Sequence, residues 1–162
     1  MTAPRFELKR IGVGGIPHAL EKAERYRLLN DPTQAESICR DILAVDDAHQ
    51  DARRVLILAL TDQFSASAGA AAEARSNIAK LADEYERAYN TGLVCERETR
   101  ARPRISGSDA YNGFRQAMEW YERAEALRPA DVDSILRWNS CVRAIERGRL
   151  APETRSQELP LE

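Results

Sequence analysis

Chain-reversing residues recur along this sequence at spacings that leave room only for short helices, and nothing between them alternates as a strand would. Asn30-Asp31-Pro32, Asp46-Asp47-Ala48-His49, the run Ser65 to Gly69, the run Arg102 to Ser108 and Arg128-Pro129 each interrupt a stretch whose apolar residues recur at i, i+3, i+4 and i+7. Ala19, Leu20, Ala23 and Tyr26 share one face of a segment over 16–29, and Ala35, Ile38, Cys39, Ile42 and Leu43 one face of 32–45. Further helices are predicted over 49–64, 109–127 and 131–147. Residues 70–101 hold a single breaker, Gly92, and read either as one long helix or as two that turn near Leu81 to Glu84. The expected fold class is all-α.

Local chemistry fixes several ends. Asp31 suits an N-cap, Pro32 the first helical position, and Gln34 lies where a capping box places it. Ser108 or Asp109 is expected to cap the helix that follows the loop, and Asp131 the last one. Residues 1–15 read as an irregular lead-in. Gly12-Val13-Gly14-Gly15 is no phosphate loop, since neither a strand before it nor a Gly-Lys-Ser/Thr after it is present. Residues 148–162 contain two prolines and no apolar periodicity and are expected to form a disordered tail, the alternative being an ordered tail in contact with a partner.

The chain's 162 residues suit one domain. A formal charge of -2 disfavours a dedicated nucleic-acid binder. No apolar run approaches the roughly 20 residues of a membrane-spanning helix, and Met1 to Glu7 has no export signal, so a cytoplasmic location is expected. Cys39, Cys95 and Cys141 are odd in number and lack metal-site spacing; small buried thiols are expected. Only His18 and His49 offer imidazoles, both at helix starts, and Asp46-Asp47 and Asp131/Asp133 sit at turns where capping accounts for them. No nucleophile, base and orienting group come together, no metal set or cofactor motif is present, and a non-catalytic role is expected.

The segments also repeat. Ala117-x3-Tyr121-x2-Ala124-x4-Pro129 has the spacing of Ala35-x3-Cys39-x2-Ile42-x4-Asp47. A small residue lets two helix backbones approach, a large one fills the groove, and a breaker reverses the chain. The pattern resembles the tetratricopeptide repeat, a 34-residue helix–turn–helix, and in particular small bacterial proteins of that family with no assigned role. Repeats are expected over 16–49, 50–83 and 84–127. Asp47 stands where proline is usual, Lys22 where leucine is common, and the alanines at 70–72 blur the second signature. Ala35 and Ala117 lie 82 positions apart, about 14 more than two 34-residue periods. The surplus is expected mostly in the loop from Pro103 to Ser108.

The resemblance implies a right-handed α-solenoid of about three helix pairs over 16–147, closed by a capping helix, with a partner's peptide or helix held on the concave face. The positions it turns to that face include Leu20, Thr61, Leu136 and Ser140, and the residues expected to bind the partner are Glu24, Arg27, Arg54, Leu58, Tyr89, Leu93, Glu96, Arg97 and Arg143. Leu20 and Glu24 occupy positions where some members carry a clamp for chaperone carboxylates, so that activity is not expected. Of 24 basic residues only Lys9, Lys22 and Lys80 are lysine. Arg97, Arg100, Arg102 and Arg104 cluster at the loop, and the alternative roles are an RNA- or anion-binding regulator using this patch or a self-assembling subunit.

Overall fold

In the computed structural model, residues 2–154 are described. Among them are seven α-helices and no strand. A 3-10 turn over Val13–Gly15 leads into α1 (Ile16–Leu28), followed by α2 (Pro32–Val45), α3 (Gln50–Thr61), α4 (Ala70–Ile78), α5 (Glu84–Ala101), α6 (Gly107–Leu127) and α7 (Asp133–Gly148). No helix is long and apolar enough to cross a membrane. The chain divides into two compact units, Met1–Ala82 and Asp83–Glu162.

The breakers act largely as their chemistry dictates. The Asp31 carboxylate accepts from the Gln34 backbone N–H, 3.3 Å away, with Pro32 opening α2. His49 caps α3, its Nδ1 accepting from the Ala52 N–H at 3.1 Å. Residues 70–101 form two helices, because Asp83 accepts from the Tyr85 N–H at 2.9 Å and starts α5 afresh. Three boundaries differ from expectation. Ser106, rather than Ser108 or Asp109, caps α6, accepting from the Asp109 N–H. Asp131 bonds the Asp133 N–H, and α7 begins two residues later than predicted. The surplus of the third pair is not loop: α5 has 18 residues and α6 has 21, against 13 and 14 in α1 and α2. A proline placed just after α5 and a serine cap just before α6 let both helices run on.

In the first unit each helix packs on its sequence neighbour, and α1 also meets α3. Ile16, Ile42 and Ala52 form one apolar cluster, joined by Ala19, Leu20, Ile38, Leu43, Val45 and, from the lead-in, Ile11. Cys39 and Ala35 are fully buried, as the apolar periodicity of α2 requires.

In the second unit α5 packs along α6, α6 on α7, and α5 also meets α7. Phe114, Ala117, Met118 and Tyr121 of α6 form the core with Cys95 and Cys141, flanked by Tyr89, Trp120, Trp138 and Ile145. Leu150 packs here too. Arg149 takes a left-handed conformation (φ 49°) after α7, and the Leu150 N–H donates to the Ile145 carbonyl at 3.0 Å. The expected tail therefore begins with an ordered turn, and from residue 155 onward it lies outside the described residues.

The approach of α5 to α6 depends on two glycines. A Cβ at Gly92 would stand 2.8 Å from Tyr121 Cε1 and 3.2 Å from the Ala117 carbonyl oxygen. A Cβ at Gly113 would stand 3.0 Å from Thr99 Cγ2, and Thr99 is held by its hydroxyl bond to the Cys95 carbonyl at 2.8 Å. Alanine normally stabilises a helix interior by about 1 kcal/mol over glycine. Here the sign should reverse: Gly92→Ala and Gly113→Ala are each expected to cost about 1–3 kcal/mol in urea unfolding. Gly107→Ala, with open space around it, should cost nothing beyond a few tenths of a kcal/mol.

Candidate functional site

Among the described residues, three surface clefts carry polar side chains, one in the first unit and two adjoining ones in the second. The first, about 390 Å³, is lined by Arg40, Asp47, Arg53, Glu73, Ser76, Asn77 and Lys80 among others. Its charges are largely spent on each other. Arg40 pairs with Glu36 at 2.5 Å and Glu73 at 2.6 Å. Arg53, only 2% exposed, donates to Asn77 Oδ1 at 2.8 Å and to the Asp47 carbonyl. Burial would raise the Glu36 carboxyl, but Gln63 and Arg40 hold it below its usual value. These bonds tie α2, α3 and α4 together.

The second unit is arranged differently. Glu96 of α5 is 1% exposed, and isolating a carboxylate from water costs several kcal/mol unless it is paired. Tyr121 of α6 donates its hydroxyl to Glu96 Oε2 at 2.6 Å. Arg100 lies 3.0 Å from Oε1, one turn along α5, and Arg137 of α7 lies 3.7 Å from the same oxygen. One buried negative charge thus faces two guanidinium groups. Burial first, then the charge and hydrogen bond of Glu96, push the Tyr121 phenol far above its ordinary range, so it stays a donor. Burial, then Glu96, pushes the Cys141 thiol up to about 12.

Arg100 also donates to Ser140 Oγ at 3.2 Å and lies over the Phe114 ring, 5.1 Å from its centroid. Fixed there, it forms one wall of two adjoining surface clefts of about 410 and 160 Å³. The other walls are Ser140, Arg143, Ala144, Arg147 and Gly148 of α7 with Phe114 of α6. Among the described residues no carboxylate lines either cleft and none pairs with Arg143 or Arg147. The arrangement suits an anionic group, which arginine forks grip bidentately.

The residues expected to bind a partner fall in both units. Glu24 is exposed on α1. Arg27 pairs with Asp62 at 2.8 Å, Arg54 with Asp51, and Leu58 is half-buried. Leu20 and Thr61 are taken up by packing, Thr61 through its hydroxyl bond to the Leu58 carbonyl. In the second unit, Tyr89 is half-buried, its ring 5.9 Å from that of Tyr85 and 5.8 Å from that of Tyr121. Leu93 and Glu96 are corrections: each is 1% exposed, Glu96 turned onto Tyr121 of α6, and neither offers a surface to a partner. Arg97 is half-buried. Of the nine, Arg143 alone lines the arginine cleft, beside Ser140. Of the basic residues from Arg97 to Arg104, Arg100 is drawn to Glu96 and to Ser140 of α7, and Arg104 sits in a turn at φ 57°. Arg147 and Arg137 were not singled out in the sequence, although Leu136, Ser140, Arg143 and Arg147 follow an i, i+4, i+7, i+11 stripe that could have found the first. Among the described residues no group of three His, Cys, Asp or Glu side chains is placed to hold a metal ion.

Glu96→Ala would strand the buried Tyr121 hydroxyl while Arg100 and Arg137 keep access to water; a loss of about 1–3 kcal/mol is expected, read by fluorescence of Trp120 and Trp138, both in the second unit. Cys39 and Cys141 are fully buried, with thiols pushed up to about 12. At pH 8 both should resist a disulfide reagent such as DTNB and react promptly in 6 M guanidinium. No protein-family model, no curated protein and no solved structure matches this chain.

Proposed function

We propose that the chain is a non-catalytic protein-interaction module of the tetratricopeptide type, an adaptor or scaffold that holds a segment of another protein on the face formed by its first helices. The carrying observation is the alternate-helix packing: α1 meets α3 in the first unit and α5 meets α7 in the second. Stacked α-hairpins set consecutive first helices side by side in this way. A closed up-and-down bundle of four would instead bring α1 against α4, and among the described residues α1 makes no comparable approach to α4. Charge placement agrees with binding rather than chemistry. The buried Glu96 and Tyr121 of the second unit are bonded to each other, and the charged groups lining its clefts are arginines, which are frequent anchors at protein interfaces.

Cross-linking in cells followed by mass spectrometry tests the reading, comparing the wild type with Arg143→Glu and Arg54→Glu. Cross-links to one partner set on α1, α3, α5 or α7 are expected. At least one variant should lose most of the recovered partner, with the melting temperature moved by no more than about 2 °C, as for exposed substitutions. Equal recovery by the wild type and both variants would remove the assignment of the face.

A further inference from the structure

Leu136, Ser140, Arg143 and Arg147 lie along one stripe of α7, and the two ends of that stripe differ in chemistry. At one end Leu136 is 60% exposed, an unusual position for a large aliphatic side chain, with Val132 at 59% just before the helix. At the other end Arg143 and Arg147 meet Arg100 across the carboxylate-free clefts. The surface is therefore polar along its length, apolar at one end and cationic at the other.

We propose that this stripe docks an acidic segment of a partner protein, its carboxylates held by Arg100, Arg143 and Arg147 and a large apolar side chain resting on Leu136. Charge complementarity selects the occupant. Arg100 already serves Glu96, which Arg137 also neutralises, so the two unpaired guanidinium groups give the clefts a net positive charge. Ser140, held by Arg100 at 3.2 Å, adds a hydroxyl between the two ends. The spacing sets the ligand's dimensions. Eleven residues separate Leu136 from Arg147, about 16 Å at the 1.5 Å helical rise, which an extended chain covers in about five residues. The proposal rests on the adaptor reading and narrows it to one face and one partner chemistry.

The test uses the full chain and a fluorescein-labelled synthetic peptide carrying two adjacent glutamates and, five residues on, a leucine. Fluorescence anisotropy at low salt should show saturable binding that weakens as salt is raised. Affinity should fall about tenfold for Arg143→Glu and for Arg147→Glu, and about threefold for Leu136→Ser. Lys22→Glu, exposed on α1, should leave it unchanged. A peptide with lysines in place of the glutamates should not bind. Equal binding of the lysine peptide, insensitivity to both arginine reversals, or no binding of the acidic peptide would overturn the proposal. So would a concentration-dependent rise in scattering mass that Arg143→Glu abolishes, since a second copy would then be the occupant. Failure here combined with partner cross-links confined to α1 and α3 would leave the adaptor reading standing. Absence of any partner cross-link would remove that reading as well.

Discussion

A single carboxylate with no access to water organises the second unit. Glu96 is 1% exposed and bonded to Tyr121 at 2.6 Å, and its desolvation is tolerable only while α6 and α7 bring donors to it. Arg100 comes from its own helix, Tyr121 from α6 and Arg137 from α7. An apolar residue of the same volume would fill the space as well, but it would hold neither arginine in place. The buried charge therefore specifies how three helices meet, and it also sets the position of Arg100 at the mouth of the clefts.

That arrangement depends in turn on backbone proximity. Tyr121 reaches Glu96 because its ring lies against Gly92, where any Cβ would come within 2.8 Å of it. Ala117 and Ala124, both fully buried, keep the same face of α6 low on either side of the tyrosine. The small-large-small spacing is thus a device for seating a polar aromatic hydroxyl, and the hydroxyl is part of what makes the buried carboxylate affordable. In the first unit the corresponding large position is Cys39, fully buried and without a hydroxyl to present, and the polar ties lie instead at the far side of α3, through Arg53 and Asn77.

Several helices are legible because their ends are written in side-chain chemistry, as where Asp31 accepts from the Gln34 N–H; Asp83 caps α5 in the same way, but no proline or glycine marks that turn, so 70–101 reads equally as one helix or two. The long third pair was not legible, because spacing between signatures measures chain length and not whether the extra residues coil or continue a helix. Arg143 was legible as a surface position from the resemblance. Glu96 and Leu93 were assigned to the same surface in error, since periodicity identifies a face of α5 without saying which neighbour covers it.

The two units differ in how their arginines are paired. In the first, Arg40 lies between Glu36 and Glu73, and Arg27 and Arg54 each have a neighbouring carboxylate. Exposed pairs of this kind add little stability, but they cancel the local field. In the second, Arg100 and Arg137 converge on one carboxylate, so pairing is complete for the acid and incomplete for the bases. Placing the acid inside has a further consequence: it cannot swing outward to neutralise Arg143 or Arg147, as a surface glutamate would. Burial of Glu96 thus keeps the cationic end of the α7 stripe available, and a chain with net charge -2 presents a local positive site without being a basic protein.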